Sequence, residues 1–257
     1  MKFDLHCHTK NGSLDSNVAL EDYVRILRRK GFGGMLITDH NTYNGYCYWQ
    51  ELKKHTHEFD DFVVLKGIEY DTLDAGHFLV IMPEEVSLRI LEVRGMRLWT
   101  LVETVHAFGG ILGPAHPYGA KSYSLRHAKF MQTAEYMAGS FDFVEAFNTC
   151  ETKESNYKAR ALAERHRLTC FGGSDSHKTL YVGTAYTEVE YPVTGQNDFL
   201  EAVRTGCVAA CGGIEREERS KYRKLIPMST AFRVYNRTMG LVKAYSRRHN
   251  LRELYQQ

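Results

Sequence analysis

The sequence predicts an α/β fold, a distorted (β/α)7 barrel with a C-terminal helical tail. Short apolar segments alternate with segments of helical periodicity along most of the chain. Side chains that can bind metal ions follow several of the apolar segments, and the charge balance changes near residue 215. Strands that alternate with helices are typical of a parallel sheet, which can close on itself. We therefore expect a barrel domain over residues 1–214 and a basic tail over residues 215–257.

The composition fits a globular domain with a sizeable core. The chain has 257 residues, of which 43% are hydrophobic and 25% are charged. Its six cysteines are scattered without a C-x-x-C pair, which favours free thiols in a reducing compartment. No apolar segment approaches about 18 residues, and the N-terminus lacks the apolar region of a signal peptide. We therefore expect a cytoplasmic protein without a membrane span.

The first predicted strand ends in an H-x-H pair. Because successive side chains of a strand point to opposite faces, Phe3, Leu5 and Cys7 are expected to share an apolar face that packs beneath helices. His6 and His8 are then expected on the other face, pointing the same way. Two imidazoles in this arrangement can bind one metal ion.

The remaining elements follow from periodicity and from turn residues. Leu20, Tyr23, Val24 and Leu27 have helical spacing, and Gly31 is expected to cap the C-terminus of that helix. Further strands are predicted at residues 35–38, 62–69, 77–82, 111–113, 141–147 and 169–173. Further helices are predicted at residues 46–58, 98–108, 125–137, 159–166 and 198–205. Seven strands rather than eight indicate an incomplete or distorted barrel.

Imidazole and carboxylate side chains follow successive predicted strands. A (β/α) barrel places its chemistry at the C-terminal ends of its strands, so these side chains are expected to converge there. Together they suit Zn, Mn or Fe, and they exceed the number that one ion needs. We expect two to three divalent ions with a bridging carboxylate. The nine predicted ligands are His6, His8, Asp15, His40, Glu69, His77, His116, Asp175 and His177.

Five sequence motifs resemble those of the polymerase-and-histidinol-phosphatase (PHP) family, over about residues 1–190. They are D-L-H-C-H-T at 4–9, T-D-H-N at 38–41, G-I-E at 67–69, A-H-P-Y at 115–118 and G-S-D-S-H at 173–177. The resemblance implies a (β/α)7 barrel with a trinuclear metal site. In many members an acidic or histidine ligand follows the H-x-H-T motif sooner than Asp15 does here.

The resemblance also implies which predicted ligands share an ion. The first ion would be held by His6, His8, Glu69 and Asp175, the second by Asp15, His40 and His177, and the third by His77, His116 and the shared Glu69. The residues expected to act in catalysis are His6, His8, His40, Glu69, Asp175 and His177.

The predicted activity is that of a metal-dependent phosphoesterase. Paired cations lower the pKa of a bridging water, so a metal-bound hydroxide would attack a small phosphomonoester, such as a nucleotide or a histidinol-phosphate-like compound. No G-x-S-x-G elbow and no Walker-type loop occur in the sequence. The predicted substrate contacts are Lys121, Arg126, Asn148 and Lys153. The tyrosines expected to stack on a nucleotide base are Tyr43, Tyr46, Tyr48, Tyr118 and Tyr123.

Two other functions fit the sequence. The domain could be a nuclease that acts on oligonucleotide ends, for which the basic tail is the only hint, or a non-catalytic metal-binding module. Residues 215–257 carry 11 Lys and Arg against 4 Asp and Glu, whereas the preceding residues carry 22 against 27. An acidic body offers no broad groove for nucleic acid, so the small substrate is favoured.

The tail is expected to form an amphipathic helix, because apolar residues recur at intervals of three and four between Met228 and Val242. Its apolar face could pack on the barrel or on a second subunit, and its arginines could instead contact nucleic acid or an anionic membrane. Packing is favoured, so the tail could support an oligomer.

Overall fold

The computed structural model describes residues 1–119 and 137–215. Met1–Arg216 forms one compact unit, and the domain boundary after residue 214 stays a prediction. The predicted helix at residues 125–137 and the predicted substrate contacts Lys121 and Arg126 lie outside the described residues, except for the last position of that helix. The tail from residue 216 onward, with its predicted amphipathic helix, also lies outside them.

The described residues contain nine strands and five α-helices. In chain order these are β1 (Lys2–Cys7), α1 (Leu20–Arg29), β2 (Gly34–Ile37), α2 (Asn44–Leu52), β3 (Val63–Asp71), β4 (His77–Ile81), α3 (Leu98–Ala107), β5 (Ile111–Pro114), β6 (Phe143–Asn148), α4 (Lys153–His166), β7 (Thr169–Gly173), β8 (Ala185–Val189), α5 (Gln196–Arg204) and β9 (Val208–Gly213).

The strands form a distorted barrel, which confirms the predicted fold class. Seven of them make a curled sheet in the order β5-β4-β3-β2-β1-β8-β9, and β6 pairs with β7. The β6–β7 pair lies between β5 on one side and β1 on the other. Backbone contacts across these two seams include the amide of Asp142 with the carbonyl of Leu112, and a bridge between Cys7 and Ser176.

The sheet is not uniformly parallel, and here the sequence-based expectation is wrong. β1, β2 and β3 are parallel, but β4 is antiparallel to both β3 and β5. Only residues 72–76 separate β3 from β4, which is too short for the helical crossover that a parallel pair needs. The start of β4 therefore lies at the same edge of the sheet as the end of β3. His77 reaches the predicted site from the beginning of a strand rather than from its end.

An irregularity in β1 changes the predicted alternation of its side chains. The register of β1 with β2 shifts between Asp4 and Cys7, so one extra residue is inserted in β1. Phe3 and Leu5 consequently pack in the barrel interior, whereas Cys7 packs beneath the helices that cover β1 and β2. The expectation that all three share a face is wrong for Cys7. His6 lies within this irregular stretch, and its side chain still points into the site.

The first helix forms as predicted. Leu20, Tyr23, Val24 and Leu27 are the buried residues of α1, and they pack on the outer face of β1 and β2. Gly31 follows the helix with a φ of +79°, a conformation that glycine adopts without a steric penalty. Among the described residues, no helix combines the length and the apolar character that a membrane crossing requires.

Two glycines allow the β6–β7 pair to approach its neighbours closely. A Cβ atom on Gly113 of β5 would lie 2.1 Å from the backbone oxygen of Phe143 in β6. A Cβ atom on Gly173 of β7 would lie 2.2 Å from Cβ of His6 in β1. Neither distance is possible without a shift of the backbone, so both seams of the barrel depend on the absence of a side chain.

We expect Gly113→Ala to destabilise the barrel by about 1–3 kcal/mol, because the added methyl overpacks the seam against backbone rather than against a mobile side chain. Gly139→Ala is the matched control, since a Cβ atom there meets no atom within 4 Å. Urea denaturation of both variants in the presence of a chelator measures the difference. Equal midpoints for the two variants would show that the seam has room for the methyl group.

Candidate metal centre

Glu69, near the end of β3, lies at the centre of the predicted ligands. Its Oε1 atom is 2.6 Å from Nδ1 of His77 and 3.0 Å from Nε2 of His116. Its Oε2 atom is 3.0 Å from Nδ1 of His40. The same oxygen lies 3.4 and 3.3 Å from the Nε2 atoms of the two histidines in the H-x-H pair. One buried carboxylate therefore contacts five of the six predicted imidazole ligands.

The H-x-H pair and Asp175 form a fully buried part of the cluster. The Nε2 atoms of His6 and His8 are 3.1 Å apart. The Oδ1 atom of Asp175 lies 3.8 Å from Nε2 of His6 and 3.4 Å from Nε2 of His8. Four groups that are expected to share an ion therefore converge, since Glu69 completes this set.

Asp15, His40 and His177 form a third part of the cluster, which is more exposed to solvent than Glu69. The Oδ2 atom of Asp15 lies 3.7 Å from Nε2 of His40 and 3.3 Å from Nε2 of His177. The side chains of Asp15, His40 and His177 are 35%, 28% and 21% exposed, whereas that of Glu69 is 1% exposed. A substrate can therefore reach the cluster from this side.

The donor set fits the metal ions predicted from the sequence. Within the described residues, four groups of three ligands each have their donor atoms within 4.8 Å of one another. Ring nitrogens that face each other at this spacing, together with carboxylate oxygens, are the donors that Zn, Mn and Fe accept. The groups are His6, His8 and Asp175; His8, His40 and His177; His6, Glu69 and His116; and His40, Asp71 and His77. These groups contain eight of the nine predicted ligands together with Asp71, which was not predicted, whereas Asp15 joins the cluster through its contacts with His40 and His177. The assignment of each ligand to a particular ion stays a prediction.

Glu145 supports the cluster from beneath, a role that the sequence did not reveal. Its Oε1 atom accepts a hydrogen bond from Nδ1 of His6 at 2.8 Å. Its Oε2 atom accepts hydrogen bonds from the backbone amide of His116 at 2.6 Å and from Nδ2 of Asn148 at 3.1 Å. Such a partner fixes the orientation of a metal-binding imidazole and raises its basicity. Glu145 therefore contacts one predicted ligand on β1 and the backbone of another that follows β5.

Asp39 organises the loop that follows β1. Its carboxylate accepts hydrogen bonds from the amide and hydroxyl of Thr9, both at 2.7 Å, and from Oγ of Ser13 at 2.9 Å. Ser13 also lies 3.1 Å from Nδ1 of His8. The aspartate of T-D-H-N and the threonine of H-C-H-T thus form one hydrogen-bonded unit that holds His8. In the sequence Asp39 is next to the predicted ligand His40, but no local pattern indicates its contacts with Thr9 and Ser13, which are far from it along the chain.

Two predicted ligands and the neighbour of a third lie on a strained backbone. Asn41, His116 and Asp175 have φ values of 49°, 32° and 49°, in the left-handed region that non-glycine residues seldom adopt. Asn41 is held there partly because its Oδ1 atom accepts the amide of Asp71 at 2.9 Å. Strain of this kind persists only where the surroundings fix the conformation, and it concentrates at functional sites.

Two of the predicted substrate contacts lie within the described residues, and the structure gives both another environment. Asn148 is fully buried; its Nδ2 atom donates to Glu145, and its Oδ1 atom accepts the amide of Cys150 at 2.8 Å. Its side-chain amide is thus engaged inside the protein, and its contact with substrate stays a prediction. Lys153 begins α4 with an 83% exposed side chain, 3.7 Å from a carboxylate oxygen of Glu215.

The expectation that tyrosines at the mouth stack on a base is wrong for two of them. Tyr43 is 7% exposed and Tyr46 is 9% exposed, and both pack in the hydrophobic core. The ring of Tyr48 is only partly buried, but its hydroxyl donates to Glu21 at 2.5 Å. Tyr118 packs against the core, and Tyr123 lies outside the described residues.

Proton binding to the metal-free cluster follows from its mixture of charges. Burial disfavours the charged form of His77, but Glu69 and Asp71 outweigh this effect and raise its pKa to about 9. The pKa values of His6 and His40 are raised in the same way, because carboxylates outweigh burial. Burial, His177 and His40 all lower the pKa of His8. Without metal, the cluster therefore holds protons on some imidazoles at neutral pH.

Parts of the sequence are similar to known proteins. Residues 153–208 match the PHP_C family, which is described as PHP-associated. The chain is 29% identical over 127 residues to the uncharacterized protein MJ1587 of Methanocaldococcus jannaschii, a match that covers 46% of this chain and 68% of the relative.

Several solved structures have a similar fold. PsfC from Pseudomonas syringae has a TM-score of 0.60 at 16% identity, over 91% of this chain and 98% of its own. The lesion-specific endonuclease PfuEndoQ from Pyrococcus furiosus has a TM-score of 0.60 at 15% identity, over 89% and 66%. A Bifidobacterium adolescentis protein assigned as a metal-dependent phosphoesterase has a TM-score of 0.53 at 18% identity, over 69% and 88%. At identities this low, the structural similarity indicates a shared fold and nothing more.

The fold and the site together define a general class of protein. It is a distorted α/β barrel with histidines and carboxylates that could bind metal at one rim. The five motifs, the PHP_C match over residues 153–208 and the similar fold support assignment to the polymerase-and-histidinol-phosphatase family.

We expect Glu145→Gln to lower the affinity of the cluster for Mn²⁺ by about 10- to 100-fold, because an amide is a weaker acceptor for the Nδ1–H of His6 than a carboxylate. Glu201→Gln, an exposed substitution on α5, is the matched control. Competition with a fluorescent chelator measures both affinities. An unchanged affinity in Glu145→Gln would show that the contact does not tune the metal ligand.

Metal binding is expected to release protons at pH 7.5. His77 is protonated below its pKa of about 9 in the metal-free protein, and a metal ion requires the neutral ring. The release should therefore be present at pH 7.5 and fall as the pH rises through 9. Calorimetric titrations with Mn²⁺ in buffers of different ionisation enthalpy measure the number of protons. A binding enthalpy that is the same in every buffer at pH 7.5 would contradict the raised pKa.

Proposed function

We propose that this protein is a metal-dependent hydrolase that releases inorganic phosphate from a small phosphomonoester. The central observation is the contact of the Glu69 carboxylate with five imidazoles, which gathers donors for more than one cation in one place. The similarity to a protein assigned as a metal-dependent phosphoesterase supports the hydrolytic class. Divalent ions held by the nine predicted ligands would activate a water molecule and stabilise negative charge on the phosphoryl oxygens.

The position of each residue in the site indicates its role in the proposed reaction. Glu69, His6, His8 and Asp175 are buried and would hold ions in a fixed geometry. His40 and His177 line the exposed side, next to the carboxylate of Asp15, so they are closest to an entering substrate. Glu145 bonds to His6 and Asp39 bonds to the loop that holds His8, so both would keep imidazoles oriented during turnover.

A nuclease is the second candidate, because PfuEndoQ, an endonuclease, has the same fold over 89% of this chain. Residues 1–214 carry 22 Lys and Arg against 27 Asp and Glu, a balance that disfavours a polyanionic strand on the body of the protein. The basic residues 215–257 would have to supply the backbone contacts instead. The phosphomonoester is favoured because it needs only the cluster itself.

The test begins with metal analysis of the purified protein after reconstitution with Mn, Fe and Zn in turn. Two to three ions per chain are expected, followed by phosphate release from sugar phosphates, histidinol phosphate or nucleotides. Chelation should abolish the release and added metal should restore it. Cleavage of oligonucleotide diesters without release of phosphate from any monoester would replace this proposal with the nuclease.

Glu69→Gln should lose metal and activity together, with activity at least about 100-fold lower, because the neutral amide can neither bridge cations nor offset imidazolium charge. Glu201→Gln serves as the control on an exposed surface. Elemental analysis and phosphate release are measured on the same preparations. A Glu69→Gln protein that keeps full activity would rule out the bridging role.

A further inference from the structure

Arg94 lies beside the cluster but belongs to none of the predicted sets. Its Nη2 atom is 2.7 Å from Oδ2 of Asp71. The other oxygen of the same carboxylate, Oδ1, is 2.7 Å from Nε2 of His77. One carboxylate therefore separates the guanidinium from a predicted metal ligand. The Asp71 side chain is 11% exposed and that of Arg94 is 28% exposed, so the arginine faces both the cluster and the solvent.

The segment that carries Arg94 is fixed by backbone contacts on both sides. The hydroxyl of Tyr70 donates to the carbonyl of Val93 at 2.6 Å and accepts the amide of Met96 at 2.9 Å. The amide of Gly95 donates to the carbonyl of Asp71 at 2.9 Å. The end of β3 therefore holds this segment in place, and the guanidinium does not have to be ordered when a ligand arrives.

Arg94 has donors to spare for an anion. A guanidinium presents five N–H donors in a planar fork, and the contact with Asp71 uses one of its terminal nitrogens. Within residues 1–119 and 137–215, no other lysine or arginine side chain makes an ion pair with Asp71. A planar fork matches the oxygens of a phosphoryl group and can bind two of them at once.

We propose that Arg94 binds the terminal phosphoryl group of the substrate, and that Asp71 aims the guanidinium at the side of the cluster that carries His77. This inference rests on the proposed function and narrows the substrate class. A phosphomonoester dianion keeps three terminal oxygens, enough for both the cations and the arginine. A phosphodiester has two such oxygens and a single charge, so it cannot satisfy both as well.

The experiment measures binding of methyl phosphate and of dimethyl phosphate to the metal-loaded protein by calorimetry. Arg94→Met keeps the length of the side chain and removes its donors, whereas Arg94→Lys keeps the charge and loses the fork. Arg89→Met, an exposed arginine in the same segment, is the matched control. We expect Arg94→Met to bind methyl phosphate about 10- to 100-fold more weakly, with unchanged metal content and little change for dimethyl phosphate. Arg94→Lys should fall between the wild type and Arg94→Met.

The other outcomes separate this inference from the proposed function. If the loaded wild type binds methyl phosphate and Arg94→Met binds it equally well, the role of Arg94 is wrong and the proposed function stands. If the loaded wild type binds no methyl phosphate, the proposed function fails and this inference fails with it. If Arg94→Met and Arg94→Lys both lose metal, Arg94 acts through Asp71 and His77 as a support, and the substrate contact is ruled out.

Discussion

The buried carboxylate of Glu69 is the constraint on which the rest of the structure depends. An ionised carboxylate is stable inside a protein only when hydrogen bonds and opposite charges replace its lost hydration. Burial alone would raise its pKa, but the charges of His77, His40 and His6 hold that pKa well below its ordinary value. Because these three histidines come from three different segments, their shared contact with Glu69 fixes the positions of these segments relative to one another.

The imidazoles in turn impose a second demand. Rings whose nitrogens approach to 3.1 Å, as in His6 and His8, repel each other when both are protonated, so the cluster needs cations or shared protons between them. Outer carboxylates help to meet this demand. Glu145 lies behind His6, and Asp71 lies behind His77. The site is therefore an inner carboxylate surrounded by imidazoles, with further carboxylates behind them.

The features that the sequence predicted well are those encoded by neighbours along the chain. The buried face of α1 and its glycine cap follow from the local sequence. The motif histidines lie near strand termini, and His77 does so although the predicted direction of its strand was wrong. The fold class was accessible because the strands and helices alternate. The ligand cluster was accessible because imidazoles and carboxylates that follow successive strands must meet at one rim of a barrel.

The features that the sequence missed depend on contacts between distant residues or on single insertions. Glu145 bonds to His6 across 139 positions, and no local pattern signals that contact. The irregularity in β1 adds one residue, which is enough to move Cys7 to the opposite face from Leu5. Asn148 resembled a substrate contact because it ends a strand beside the site. Its side-chain amide instead donates to Glu145 and accepts the backbone amide of Cys150.

The exposure of the cluster sets the terms on which any substrate is received. Glu69 and the H-x-H pair are buried, whereas Asp15, His40 and His177 are partly exposed among the described residues. A terminal phosphoryl group can approach this exposed side end-on, whereas an internal phosphodiester must bring two chain segments to it. Under the role proposed for Arg94, the selectivity between them would depend on a side chain outside the five motifs, which Asp71 holds one carboxylate away from His77.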